Sequence, residues 1–344
     1  EGRKVALLAD FVIGTIDQLL MAALIQRHVM LRHLGLAGKV VIIDEAHSFE
    51  MYMESFLERA LEWLGTYHAP VIVLSATLPQ KRRFDLIKAY LGKKDMDENA
   101  DWCNTAGYPL FTWTDGEQVC QKQMSLGVEK DIIQVIWSKD EECMDILKNS
   151  LKDGGCAGII LNTVARAQDF AQKLSECFPE CEMIQMHSQF IISDRAEIER
   201  EILKRAGKNS TPEQRNKLII VGTQVLEQSL DIDFDVMITD LCPMDLLLQR
   251  IGREHRHKGR KRPLCLQKAK CYVLTETRVV YDKWLLQRTA DKLPEYFCLP
   301  DDIPVYVQDV YAEPNEDEKN DLWDEYMRHL EKLEEDAKRF RVGE

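Results

Sequence analysis

Three short stretches of this chain carry residues fit for phosphate chemistry. The apolar run Val40 to Asp44 (VVIID) passes into Glu45-Ala46-His47. Two adjacent carboxylates leaving a strand suit a magnesium–phosphate site: one orients the metal, usually through water, and the other takes a proton from an attacking water. The same pair could simply open the next helix with favourable charge. Ser75 and Thr77 are short hydroxyl residues where the run VIVLSAT stops, and helix capping is their plainer use. The third stretch, QRIGREHRH (Gln249 to His257) followed by KGRKR, is densely cationic on a chain of formal net charge -13. If Met244 onward is helical, Gln249, Arg253 and Arg256 fall at i, i+4 and i+7 and share one face. The rigid donor fork of arginine suits charge on a transferring phosphoryl group. A solvated basic helix end explains the charge, but not Gly252, nor Gln249 on the same face.

Such residues work together only if a scaffold presents them, and strand ends of a parallel sheet are where ligands bind in open α/β folds. The chain reads that way. VVIID is followed by the helical spacing of SFEMYMESFLERALEWL, and VIVLSAT by RRFDLIKAYL. Both runs read as buried strands of a parallel sheet with covered faces. Residues from about 92 to 130 are polar and aromatic and read as an inter-domain connection. A second alternating block follows: strands in AGIILNT, CEMIQMHS, KLIIVGT and VMITDL, and helices in VARAQDFAQKLSECF, SDRAEIEREILKRA and MDLLLQRIGR. Beyond about 265 come CYVL, a helix, LPDDIPVYVQDVY and a charged helix that reads as a solvated face. The pattern implies two α/β domains in tandem.

The 344 residues are 45% hydrophobic and 30% charged, as in a soluble globular protein, with no run long enough to span a membrane and no visible signal peptide. The net charge argues against passive coating of nucleic acid but leaves room for a local basic groove. The ten cysteines form no CxxC pair; Cys177 and Cys181 are the nearest, at helical spacing. Reduced core cysteines, fitting the cytoplasm, are expected rather than zinc ligands or disulfides.

In this order, the three stretches resemble the superfamily-two helicases: a DEAH box, a SAT motif and a QRxGRxxR motif. VIGTIDQLL (Val12 to Leu20), IIDEAHSFE, VLSATLP, ILNTVARAQ, MHSQFIISDR, VGTQVLEQSLDIDFD and LLLQRIGREHRH are similar, in sequence, to the CRISPR-associated helicase–nuclease of type I interference systems. The likeness runs from Val12 to about Tyr311, and NTVARAQ and TQVLEQSLDIDFD discriminate best against generic RNA helicases. The resemblance implies two tandem RecA-like parallel-sheet domains, the first truncated at its N-terminus. Residues 1–120 would hold the DEAH and SAT motifs and 121–275 the QRxGRxxR motif, with 276–344 a truncated C-terminal helical extension. It further implies an ATP- and Mg²⁺-dependent translocase on single-stranded DNA, moving 3′ to 5′. An RNA-guided Cascade-type surveillance complex would recruit it to unwind target DNA for degradation.

Carried onto this sequence, Asp44 and Glu45 would serve Mg²⁺ and the attacking water. His47, Ser75, Ala76 and Thr77 would couple the nucleotide site to movement of the strand. Gln249, Arg253 and Arg256 would reach the phosphates, with Asp231 and Gly252 beside the nucleotide. Thr15, Asn162, Thr163, His187, Thr223 and Gln224 would line the DNA path through phosphate or sugar contacts, making binding sequence-tolerant and salt-dependent. Turn or cap chemistry is the alternative use of Thr15 and Thr163. Glu254 departs from the family pattern, where an apolar residue is more usual, and could pair with Arg250 or with a phosphate-assigned arginine.

Hydrolysis in this class needs a glycine-rich loop ending in GK[ST], and none occurs here. Gly207-Lys208-Asn209-Ser210 comes nearest, but it follows a helix and precedes a loop. The family's nuclease uses His-Asp dipeptides, and no His here is followed by Asp. The expectation is a piece of a longer protein, its phosphate loop and nuclease preceding Glu1, with little or no ATP hydrolysis by the chain alone. A fragment of a DEAH-type RNA helicase and a non-catalytic nucleic-acid-binding remnant stay open as other readings.

Overall fold

Several apolar runs beyond residue 155 become strands buried on both faces. The protein is described by a computed structural model covering residues 6–46, 51–93, 95–105, 107–125, 127, 129–227, 230–276 and 280–342. It divides into two compact units, Glu1–Gly127 with Val307–Glu344, and Val128–Tyr306. The second unit is built on strands β5 (Asp131–Ser138), β6 (Cys156–Ile160), β7 (Glu182–Met186), β8 (Leu218–Gly222), β9 (Val236–Asp240), β10 (Ala269–Leu274) and β11 (Tyr296–Leu299). They form one sheet in the order β11-β5-β10-β9-β6-β8-β7, parallel except where β11 pairs antiparallel with β5. Every residue of β6, β8 and β9 is buried, as expected of strands covered on both faces. Helices α5 (Cys143–Ser150), α6 (Val164–Cys177), α7 (Ile192–Ala206), α8 (Met244–Ile251) and α9 (Lys283–Lys292) join them. On α6, Ala167, Phe170, Ala171 and Leu174 recur at helical spacing and are buried against the sheet. On α8 the same spacing buries Met244, Leu247, Leu248 and Ile251. Gly158 in β6 has a packing reason to be glycine: a Cβ there would lie 2.4 Å from the Phe234 ring.

In the first unit, β1 (Val41–Ile43) and β2 (Val71–Val73) pair in parallel. Around them lie α1 (Ile16–Leu20), α2 (Val29–Leu36), α3 (Met51–Thr66) and α4 (Gln80–Leu91). The core gathers Ile43 with Phe56, Leu57, Ala60, Leu61 and Leu64 of α3. The expectation of fully covered strands fails here. Val41, Ile43, Val71 and Val73 pack on the core, while Ile42, Ile72 and Leu74 lie 63%, 46% and 47% exposed. Strand alternation sends them to the other face.

The divisions differ from those read in the sequence. Residues 92–130 are not a bare connection: β3 (Leu110–Thr114) and β4 (Val119–Gln123) form an antiparallel hairpin in the first unit, and β5 begins at Asp131. Residues 276–344 are not one extension either. Helix α10 (Asp302–Tyr311) carries the chain from the second unit into the first, where α11 (Asp321–Lys338) packs on α3. The charged faces of α11 are solvated as expected, but its end is anchored. Ala337 is buried, the Val342 amide donates to Ala23 O at 2.9 Å, and Arg59 Nε donates to Val342 O at 2.9 Å. All ten cysteines are free, and burial pushes the Cys143 and Cys156 thiols up to about 12; Cys177, however, is exposed rather than core. Among the described residues no helix is long and apolar enough to cross a membrane.

Candidate functional site

Asp44 and Glu45 emerge exposed at the carboxyl end of β1. Glu45 takes a left-handed backbone (φ 56), its amide donating to Asp44 Oδ1 at 3.0 Å. The chain is pinned on both sides of this kink: Leu74 N donates to Ile43 O at 2.8 Å and Ala46 N to Leu74 O at 3.0 Å. The two carboxylates therefore bulge outward from a junction tied to the SAT strand. Ser75 Oγ donates to Thr77 O at 3.1 Å, Ala76 is exposed, and Thr77 Oγ1 is buried with no hydrogen-bond partner among the described residues. His47 lies outside the described residues. Thr15 is the N-cap of α1, and its hydroxyl donates to Asp17 Oδ2 at 3.2 Å instead of capping a backbone amide.

In the second unit the sheet gathers five of the six nucleic-acid candidates at one edge. Asn162 and Thr163 follow β6, His187 follows β7, and Thr223 and Gln224 follow β8, all at the carboxyl ends of neighbouring parallel strands. Their side chains are mostly engaged within the protein. Asn162 is buried: its Nδ2 donates to Leu241 O at 2.8 Å and its Oδ1 accepts from Arg250 Nη2 at 3.1 Å. Both ends of the side chain expected to contact nucleic acid are thus bonded within the protein in this structure. Thr163 Oγ1 accepts from Arg166 N at 3.2 Å and caps α6, the alternative use named for it. His187 is buried, stacked on Phe190 with ring centroids 4.3 Å apart, and burial lowers its pKa. Gln224 Nε2 donates to Asn162 O at 3.1 Å and to Tyr281 Oη at 2.9 Å, while Thr223 is buried.

The arginines do not share a helical face. Helix α8 stops at Ile251, because Phe234 draws the following residues into a β-bridge. Phe234 N donates to Arg253 O at 2.8 Å, and His255 N to Phe234 O at 3.1 Å. His255 then takes a left-handed turn (φ 50). Gln249 alone lies on the helix, its Nε2 buried without a hydrogen-bond partner among the described residues. Gly252 is the C-cap, with ordinary helical φ; a Cβ there would press to 3.3 Å from Leu248 O. Arg253 Nη1 donates to Leu230 O at 2.6 Å and Nη2 to Glu227 O, which ties the arginine to backbone. Arg256 is 42% exposed; its Nε sits 2.9 Å from Asp231 Oδ1 and its amide donates to Asp233 Oδ1 at 2.9 Å.

The spacing of residues gives no hint of the hub beneath this loop. Arg250 is fully buried: Nε lies 2.6 Å from Glu227 Oε1, Nη1 donates to Thr239 Oγ1 at 2.7 Å, and Nη2 reaches Asn162. Burial raises the Glu227 carboxyl against the opposing pull of Arg250. Glu254 pairs neither with Arg250 nor with a phosphate-assigned arginine. Its Oε1 accepts from the Lys270 amide at the start of β10, its Oε2 is buried without a hydrogen-bond partner among the described residues, and burial pushes its carboxyl well above the usual carboxylate range. It fastens the arginine loop to the sheet.

Comparison with known proteins agrees with the fold. A family described as the CRISPR-associated nuclease/helicase Cas3, C-terminal, matches residues 153–259. The CRISPR-associated nuclease/helicase Cas3 of Streptococcus thermophilus is 47% identical over 324 residues, covering 90% of this chain and 35% of that protein. The T. fusca Cas3–AMPPNP crystal structure is 33% identical and superposes with a TM-score of 0.90, covering 99% of this chain and 42% of that one. A chain of a CRISPR RNA-guided surveillance complex in its pre-nicking state is 32% identical, with a TM-score of 0.88 over 99% of this chain and 46% of that one. The chain spans about a third of the length of the curated relatives it matches. Over nearly its whole length the chain is similar to the part of these CRISPR-associated nuclease/helicases that carries the RecA-like domains.

Proposed function

We propose that this chain is part of an ATP-driven translocase on single-stranded DNA that works with an RNA-guided surveillance complex in the cytoplasm. One observation carries the reading: Arg256 is held differently from its neighbours. Arg250 is buried, Arg253 is bound to carbonyls, and Arg260 and Arg262 pair with Asp233. Arg256 alone of these five is left with an exposed, exchangeable partner, Asp231. An arginine in that state can turn its donors to a phosphate as charge develops there. Gln249 and Arg253 then act by shaping the loop, while Asp231 orients Arg256 and Gly252 keeps the helix end slim.

Exposed oxygen donors at a strand end fit Mg²⁺, which takes few protein ligands and keeps its waters. Asp44 would hold it through water, and when bound it neutralises phosphate charge. Glu45 would take the proton of the attacking water, and Ser75, Ala76, Thr77 and His47 would relay the state of the site to the strand. Thr163, His187, Thr223 and Gln224 would present the edge along which DNA moves, 3′ to 5′, and Thr15, in the first unit, would also contact the strand. In relatives the bound nucleotide analogue and the surveillance complex named above support the ATP and partner assignments.

The test is ATP turnover by the full-length protein with single-stranded DNA or RNA added. Stimulation by DNA and not RNA is expected; stronger stimulation by RNA makes it an RNA helicase, and no turnover makes it a non-catalytic remnant. Without a GK[ST] loop the purified chain alone should hydrolyse little or no ATP, and robust turnover by it overturns that part.

A further inference from the structure

The basic stretch runs on past the arginine loop as Lys258–Arg262, and the nucleotide chemistry above leaves it unused. Within the second unit it folds against the turn that follows α7, and an open cavity of about 250 Å³ lies there. Lys208, Arg215, His257, Lys258, Arg260 and Lys261 line it. Arg215 stands just before β8, so the cavity lies toward the amino ends of the strands. The edge carrying Asn162, Thr163, His187 and Thr223 is the other one. The site is therefore separate from the proposed DNA path.

Its positive charge is only partly compensated. Arg260 Nε is 2.5 Å and Arg262 Nη2 2.8 Å from the same Asp233 oxygen; Arg262 also pairs with Asp235, and Arg215 Nη2 lies 2.9 Å from Asp235 Oδ1. Three guanidiniums thus share two carboxylates. Lys258 pairs with Asp131, whereas Lys208 and Lys261 have no ion pair among the described residues. Arg215 is 2% exposed; its Nη2 is held by Asp235, and its Nη1 makes no hydrogen bond among the described residues. Burial and the neighbouring Arg215 push the Arg260 guanidinium down from its ordinary value. Buried donors left open beside uncompensated cations favour an oxyanion, which the planar guanidinium fork matches.

We propose that this cavity binds a phosphate group, with Arg215 at its floor and Lys208 and Lys261 at its rim. The turn Gly207-Lys208-Asn209-Ser210 has the composition of a phosphate loop but not its geometry. It ends α7 instead of opening a helix, and Arg260 pins it by donating to Gly207 O at 2.9 Å and Ser210 O at 3.0 Å. Side chains, not a cup of backbone amides, hold the anion. The phosphate comes either from a nucleic-acid backbone or from free phosphate or pyrophosphate.

The test uses full-length protein whose nucleotide site is kept filled with a non-hydrolysable ATP analogue. Pyrophosphate is titrated into native protein and into K208A/K261A, whose exposed positions spare the fold. Saturable binding by native protein, weakened at least about tenfold in the variant with analogue affinity unchanged, is expected. In a second arm the salt dependence of single-stranded DNA binding identifies the source. A slope reduced by about one or two phosphates assigns a nucleic-acid backbone, and an unchanged slope assigns free phosphate. Absence of pyrophosphate binding by native protein, or equal binding by the variant, overturns the proposal and leaves the reading of Arg256 untouched.

Discussion

Asp231 Oδ1 stands 2.9 Å from Arg256 Nε, and both side chains are about half exposed. A pair so open to water contributes little to stability, about 0–1 kcal/mol. D231N should therefore leave the denaturation midpoint of the chain almost unmoved. In the full-length protein it should lower kcat/KM for ATP several-fold, because Arg256 loses its orienting partner. A large loss of stability with unchanged kcat/KM would make the pair structural.

Arg250 and Glu227 behave oppositely. Replacing Arg250 with Met strands a buried carboxylate and is expected to cost about 3–5 kcal/mol, read from denaturant unfolding of the chain. Removing both charges, as in R250M/E227Q, should recover much of that loss. A double variant as unstable as R250M plus a further loss would place the stabilisation in the contacts of Arg250 with Thr239 and Asn162 instead.

Glu254 gives a pH signature. Its folded carboxyl is pushed well above 4.5, the ordinary value, by burial, with Arg262, Asp233 and Asp235 the charged groups that face it. The folded state holds the proton more tightly, so this contribution is full below 4.5 and is lost as pH rises toward the folded pKa. E254Q keeps the shape and an acceptor for the Lys270 amide, but has no proton to lose. Its stability relative to native chain should improve with pH above 4.5, by about 1.4 kcal/mol per pH unit until the folded carboxyl ionises. A gap that does not change with pH would contradict this.

Gly158 is crowded by Phe234, the residue that bridges to the arginine loop. G158A should destabilise the chain by about 1–3 kcal/mol through overpacking, measured by thermal unfolding. An unchanged midpoint would mean that Phe234 has room to move.

The sequence was legible where burial is complete on both sides. Strands β6 and β8 are continuous apolar runs and β9 opens with one, and the residues just beyond β6, β7 and β8 do meet at one edge. It misled where a distant backbone decides. The spacing of Gln249, Arg253 and Arg256 predicts one helical face, but Phe234, some twenty residues upstream, ends the helix and bends the loop. Arg250 looks like any cation in a basic run; only the fold brings Glu227, Thr239 and Asn162 to it. Strand β5 was hidden by its polar neighbours, although Ile132, Ile133, Val135 and Ile136 were a β-branched signal. The anchoring of the C-terminal segment on Ala23 and Arg59 has no local signature at all.

The most direct test of the account is Arg256→Ala in the full-length protein, with ATP turnover measured at saturating single-stranded DNA and the DNA affinity measured separately. A fall in kcat of about a thousandfold or more is expected, with DNA affinity within a few-fold of native. Turnover close to native would contradict it.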